Sequence, residues 1–260
     1  GMYLGDCQKM AIGGRTYGIF SHADQYNAAS TGGTSLGLPY FNAFSGAEDA
    51  YLVGFTLGNL DPVSTGSVAV RSDLDMFGSD GSLYFLLGRS NNYRFDMIGG
   101  YTYNNLKSSV TVATESTNLF TGDLIPDGTV FTTNDLFETK NVFNGGHLGV
   151  VSSVVRNRVT LSTLSKISFG NMRQTGAIRG FTTTDTGAGT STTAGGIFTQ
   201  PSNIGTFSRD EFAFIPEMGL KLGLAVNDNV QLTLGYTFMF WSSVGLAGEQ
   251  MDHTVDLTQT

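Results

Sequence analysis

Asn229-Val230-Gln231-Leu232-Thr233-Leu234-Gly235-Tyr236-Thr237-Phe238-Met239-Phe240-Trp241-Ser242-Ser243-Val244 alternates apolar and polar side chains along most of its length. Val230, Leu232, Leu234, Tyr236, Phe238 and Phe240 fall on one face. Gln231, Thr233, Gly235 and Thr237 fall on the other, because successive side chains of a strand point to opposite sides. The stretch predicts one β-strand over 229–244. Just upstream, Phe212, Phe214, Met218, Leu220, Leu222 and Leu224 share a face, opposite Glu211, Ala213, Glu217, Gly219, Lys221 and Gly223. Val226-Asn227-Asp228-Asn229 between the two runs predicts a tight hairpin.

The unit recurs toward the N-terminus. Leu148, Val150 and Val154 alternate with His147, Gly149 and Ser153, and Arg156-Asn157-Arg158 turns the chain into Val159, Leu161, Ile167 and Phe169. Their opposite face holds Thr160, Ser162, Lys166 and Ser168. Earlier, a strand ending near Leu87 turns through Arg89-Ser90-Asn91-Asn92 and returns as Phe95, Met97, Tyr101 and Tyr103, opposite Arg94, Asp96, Gly100 and Thr102. A fourth turn, Asp6-Cys7-Gln8, leads from a stub into a strand over Met10–Phe20. Long connections, at about 23–65, 115–135, 178–207 and after Gly248, separate the pairs and are rich in Thr, Gly, Ser and Asn. Short turns alternating with long loops are the layout of an antiparallel up-and-down transmembrane β-barrel. A sandwich mixes loop lengths at both ends. Each strand also reaches the roughly 9–11 residues that a tilted bilayer crossing needs.

Composition fits that reading. Charged residues are 14% of the chain, against about 25% in an ordinary soluble domain. Mean hydropathy is -0.01, as expected when two unlike faces cancel. A balance of 14 Lys+Arg against 22 Asp+Glu leaves a net charge of -8, which argues against nucleic acid as a partner. One cysteine, Cys7, excludes an internal disulfide. No apolar run of about 18 residues is present for a membrane helix. Gly1-Met2-Tyr3-Leu4 does not read as an export leader, so any leader is expected to precede this sequence. Aromatics near strand ends (Tyr236, Phe238, Phe240, Trp241, Phe212, Phe214) suit an interfacial girdle. Pro216 fits only a bulge or a weakly paired position.

Several stretches carry a further resemblance. Gln200-Pro201-Ser202-Asn203-Ile204-Gly205, Ser208-Arg209-Asp210, Ile215-Pro216-Glu217-Met218-Gly219-Leu220, Gly235-Tyr236-Thr237-Phe238 and Phe240-Trp241-Ser242 follow one another in order. Asp6-Cys7-Gln8, Pro39-Tyr40-Phe41-Asn42, Gly46-Ala47-Glu48-Asp49-Ala50 and Phe143-Asn144-Gly145-Gly146 precede them. Together they resemble the seventh family of outer-membrane β-barrel porins along essentially the whole chain. The resemblance implies an exported barrel of a bacterial outer membrane. It also implies a leader and a strand before residue 1 and an aromatic-ended strand after residue 260. The chain is therefore expected to be a single domain over 1–260 holding about eight of roughly ten strands. A partial set of strands would leave open edges.

Chemical motifs are sparse. Gly33-Thr34-Ser35-Leu36-Gly37 matches the G-x-S-x-G elbow, which needs a buried strand before it and a helix after it. Here it lies in a Gly/Ser/Thr-rich loop, and His22, His147 and His253 form no Ser/His pattern with it, so no catalytic residue is expected. Asp73, Asp75 and Asp80 lack the spacing of a calcium loop and read as solvated carboxylates. No metal or cofactor is expected. Glu217 and Lys221 share a face about 13 Å apart, so they cannot pair with each other. With Arg94, Asp96 and Lys166 they are the expected pore-lining residues. They would either filter solutes electrostatically or simply fill a narrow barrel.

The expected function is a porin-like pore for passive movement of small solutes, with the outer-membrane bilayer as partner. The alternative is a plugged structural or adhesive barrel acting through its Thr/Gly-rich surface loops. A soluble β-sandwich is a third reading, in which the apolar faces would have to meet each other.

Overall fold

Alternation in the deciding stretch becomes a strand over Val230–Met239, at one edge of a long curled sheet. In the computed structural model, residues 2–4, 9–58, 61–120, 125–227 and 230–256 are described. The expected turn at Asp6-Cys7-Gln8 and the Asp228-Asn229 half of the last hairpin lie outside them. The strands are β1 (Met2–Leu4), β2 (Met10–Ser30), β3 (Leu36–Asn42), β4 (Ala47–Thr56), β5 (Pro62–Arg89), β6 (Tyr93–Asn118), β7 (Val130–Arg156), β8 (Val159–Asp185), β9 (Thr190–Ala194), β10 (Gly205–Asn227), β11 (Val230–Met239) and β12 (Thr254–Val255). A single 3-10 turn, Ala247–Gln250, follows β11.

The main sheet runs β1-β2-β5-β6-β7-β8-β10-β11, with every neighbour antiparallel. Its two free edges among the described residues are β1 and β11. Short connections at 90–92 and 157–158 join β5 to β6 and β7 to β8, whereas 31–61, 119–129 and 186–204 are the longer links. Asn157 takes a φ of 56° in its tight turn, a left-handed position that asparagine tolerates better than most residues.

The sheet curls because backbones approach closely along a band of glycines. Gly14 faces Gly81, Ser82 faces Gly100, and Gly145 faces Gly170. A Cβ added to Gly100 would lie 1.9 Å from the Gly81 carbonyl oxygen, and one added to Gly170 would lie 2.1 Å from that of Asn144. Only glycine permits such contact.

The convex face is apolar near the short turns. On β6, Tyr93, Phe95, Met97 and Tyr101 are exposed, while Asp96, Ile98, Thr102 and Asn104 are buried on the concave side. Beyond Tyr103 the outward positions become Asn105, Lys107, Ser109 and Thr111. β7 changes in the same way, from Val154, Val150 and Leu148 to Asn144, Lys140 and Glu138. The apolar belt thus takes about 11 residues per strand, or roughly 25 Å upright at barrel-like tilt. Aromatic pairs mark its loop-side border: Phe77 with Tyr103 and Phe169 stacked on Phe212, each with ring centroids 6.5 Å apart.

Three expectations need correction. Much of 23–65, 115–135 and 178–207 is strand rather than loop: β2 continues to Ser30, β6 to Asn118, β7 starts at Val130, and β8 reaches Asp185. Above the belt the outward face turns polar while the inward face mixes apolar residues such as Val112, Phe137 and Ile178 with threonines, so the apolar-out alternation is lost although β-branched threonines still pair across strands. Thr114 bonds Thr133 at 2.7 Å, and Thr182-Thr183 of β8 lie opposite Thr193-Thr192 of β9. The last strand ends at Met239, five residues before Val244, because the chain turns inward. Trp241 consequently packs inside, against Phe143, Met172, Ala213 and Ile215, and does not join a girdle. Pro216 sits in unbroken register with Ile167, and its carbonyl accepts from Phe240 N at 3.1 Å. Its missing N–H therefore faces the side where the β10–β11 ladder ends, a weakly paired position.

The long connections fold inward over the loop end. β3 and β4 form a hairpin, and β12 adds in parallel to β3. Tyr40, Ile197, Phe198, Ala247 and Val255 from these segments pack on Val112, Phe137 and Ile178 of the sheet. Buried Asp135 anchors the 196–200 segment, accepting from Ile197 N at 3.1 Å, Thr199 N at 2.9 Å and Thr199 Oγ1 at 2.5 Å.

Within the hairpin, Asp49 accepts from Ala50 N at 2.8 Å, Tyr40 OH at 3.0 Å and Asn42 Nδ2 at 3.3 Å. The Ala50 amide first, then Asn42 and Tyr40, hold its carboxyl below the ordinary value. A lowered pKa means a contribution fully present above about pH 4 and lost as pH falls through the lower folded value. Protection factors of amides at 37–52, taken relative to the intrinsic exchange rate at each pH, are expected to fall on acidification while those in the belt of β6 and β7 hold. Asp49→Asn should remove this pH dependence, and unchanged acid sensitivity in that variant would contradict the assignment.

Candidate functional site

Four charges meet across the concave interior. Arg15 on β2 lies opposite Asp80 on β5 in the sheet register, and Glu217 on β10 lies opposite Lys166 on β8. The curl brings these two pairs together. Arg15 donates to Asp80 Oδ2 at 2.6 Å and to Glu217 Oε1 at 2.5 Å. Lys166 Nζ lies 3.0 Å from Asp80 Oδ2 and 2.9 Å from Glu217 Oε2. Two cations and two anions thus form a closed, neutral ring spanning the interior. Buried charges persist only when so paired.

The ring has a polar surround. The Arg15 guanidinium lies over the Tyr17 ring, 4.7 Å from its centroid, and Tyr17 OH donates to Asn104 Oδ1 at 2.7 Å. His147 is buried between Ser82 Oγ at 2.9 Å and Thr102 Oγ1 at 2.8 Å, and Thr102 contacts Ser168 at 3.3 Å. This layer lies within the height of the outer apolar belt. A cross-section here is dominated by fixed charges, hydroxyls and a histidine.

The expected lumen residues separate into groups. Lys166 and Glu217 belong to the ring. Arg94 and Asp96 pair with each other through two bonds of 2.8 and 2.7 Å, nearer the short turns. Lys221, on the same face as Glu217, is exposed and makes no ion pair among the described residues. Glu217 thus finds its partners in Arg15 and Lys166. Arg15 carried no expectation, and Asp80, expected as a solvated carboxylate, is instead buried in the ring, because their contacts with Glu217 and Lys166 span 202 and 86 positions. The available signal was an arginine in phase with the wet face of a strand, in a chain with 14 basic residues.

Other motifs disperse. Asp73 is salt-bridged to Arg71 on the convex face at 2.7 Å, Asp75 lies opposite Lys107, and Asp80 points inward. The three carboxylates do not converge on an ion. Gly33-Thr34-Ser35 lies in the link between β2 and β3, and Leu36 opens a strand where a nucleophile elbow requires a helix. His253 packs edge-on against Phe198, with centroids 5.7 Å apart.

Loopward of the charge ring the interior is layered. Phe143, Met172, Ala213, Ile215, Met239 and Trp241 form an apolar layer. A polar chamber follows, and the apolar cluster under the loops closes the far end. The family model described as "Putative beta barrel porin-7" matches residues 1–260. The chain belongs to the beta barrel porin-7 family. As a porin-7 chain it combines an all-β, mostly antiparallel curled sheet with an apolar outer belt and a charged interior. No curated protein and no solved structure matches it.

Proposed function

We propose that this porin-7 chain forms a β-barrel of the bacterial outer membrane that passes small solutes through a narrow, charged constriction. The observation that carries the reading is the contrast of faces at one height. Along a belt of about 11 residues per strand the outward positions are mostly apolar and aromatic, while the inward residues include the Arg15–Asp80–Lys166–Glu217 ring. A bilayer outside and water inside is the environment in which both faces are satisfied. In a complete barrel of roughly ten strands the lumen is small, and the ring would set its narrowest point. Lys221, Arg94 and Asp96 would line the wider vestibule toward the short turns.

The apolar cluster under the inward-folded loops favours a second reading, a barrel plugged at its mouth that serves a structural or adhesive role. Membrane fractionation and single-channel recording on the full-length protein separate the readings. Outer-membrane fractionation with discrete conductance steps of small unit size is the expected result. A sealed bilayer containing folded protein would overturn the pore in favour of the plug. Recovery of folded protein from the aqueous fraction would overturn both.

A further inference from the structure

We infer that the polar chamber between the two apolar layers is a binding site for a neutral, hydroxyl-rich solute of monosaccharide size. The inference deepens the proposed function and rests on its reading of the interior as water-facing. The chamber has a volume of about 280 Å³ and is walled by Thr139, Asn141, Gln174, Phe207, Arg209 and Gln250.

Its frame is fixed by hydrogen bonds. Asn141 Nδ2 donates to Gly245 O and Gly245 N donates to Asn141 Oδ1, both at 2.9 Å. Gln174 Nε2 donates to Ser243 Oγ at 3.1 Å, and Gln174 Oε1 accepts from Arg209 Nε at 2.6 Å. These bonds strap the segment after β11 across the interior and hold the wall amides in place.

Two groups remain uncommitted. Thr139 Oγ1 is buried and has no hydrogen-bond partner, in a residue 7% exposed. An unpaired buried hydroxyl is costly and asks for a partner. Gln250 faces the chamber from the 3-10 turn, and none of its described side-chain atoms is hydrogen-bonded. Opposite Thr139 stands Gly176, where a Cβ would meet nothing closer than Gln250 Oε1 at 3.8 Å. Space in the chamber thus depends on a glycine that the backbone itself does not require.

Charge selects the ligand class. Arg209 lies 3.2 Å from Glu211 and donates to Gln174, so the chamber wall offers a compensated guanidinium rather than a free cation for an anion. Amide and hydroxyl groups present donors and acceptors together, matching ligand hydroxyls that do the same. The Phe207 ring supplies an apolar wall, as polar-ligand pockets usually contain.

The test uses full-length protein in detergent micelles, so it requires no transport. D-glucose is the probe, with gluconate and glucosamine as charged counterparts. Binding is read by saturation-transfer NMR and by the fluorescence of Trp241, the chain's single tryptophan, which lies in the adjacent apolar layer. Saturable glucose binding is expected, stronger than that of either charged analogue. Gln250→Ala and Thr139→Val should each weaken it about three- to tenfold, Thr139→Ser should restore it, and Gly176→Val should abolish it by filling the chamber. Absent saturation, preference for gluconate, or undiminished binding in Gly176→Val would overturn the inference. Gln250 is exposed, so its variant remains informative if Thr139→Val fails to fold. Glucose binding by a protein that does not conduct would sustain the site while sinking the pore, and conductance without binding would do the reverse.

Discussion

Lys166→Met is expected to destabilise the folded protein by about 3–5 kcal/mol, the cost of leaving a buried charge unpaired. The Lys166 side chain is 2% exposed and its ammonium touches both Asp80 and Glu217. Methionine fills the same space but removes one of the two cations, so two carboxylates are left to Arg15 alone. Adding Glu217→Gln restores neutrality and should recover most of the loss, although each substitution alone is damaging. That non-additivity is the signature of coupled groups. Urea unfolding from lipid vesicles supplies the numbers. Equal stability of single and double variants would mean that the ring is not coupled. In bilayer recordings, the single variant should shift a conducting barrel toward cation preference, because one negative charge is then uncompensated at the constriction.

A larger effect is expected for Gly170→Ala. Its Cβ would stand 2.1 Å from Asn144 O and 2.5 Å from Gly145 Cα. Both neighbours are backbone atoms of the paired strand, so no rotamer change relieves the overlap. The strands would have to part at a point where their backbones lie in close contact. A penalty above about 4 kcal/mol is anticipated, in the range reserved for disrupted cores and backbones. Refolding into vesicles, followed by protease protection and heat-modified migration, should show almost no native protein. Gly33→Ala, where nothing lies within 4 Å of the new Cβ, should refold like the parent. Normal refolding of Gly170→Ala would mean that close strand approach does not set the curl.

The belt half of each long strand was legible in the sequence, and the other half was not. Phe95, Met97 and Tyr101 against Arg94, Asp96 and Thr102 form an unmistakable period of two, because the outer face is apolar and the inner face polar at that height. From Asn105 to Asn118 the outward side carries Asn, Lys, Ser and Thr, and the inward side mixes Val110 and Val112 with Ser and Thr, so the apolar-out period of the belt disappears. Lys166 and Glu217 could be placed on the wet face by phase alone. Their partners could not, since contact between β2 and β10 depends on how far the sheet curls, and local pattern does not encode curvature. The same gap explains Lys221: phase puts it beside Glu217, yet the ring closes one level away and leaves it exposed. Thr139 and Gln250 carried no local signal, because a chamber is defined by what lies across from each residue.

The length of the strands bears on where the molecule meets its surroundings. β6 runs for 26 residues, of which the belt takes about 11, leaving about 15 that rise some 35 Å at barrel-like tilt. With the belt set in a bilayer, the sheet stands up as a chimney whose upper storey is bathed in water on its outer wall. The glycine-cleared chamber and the folded loops belong to that storey. A solute arriving from the loop side would be captured well clear of the hydrocarbon. Changes in lipid thickness or composition would grip the lower storey alone and leave the capture step untouched.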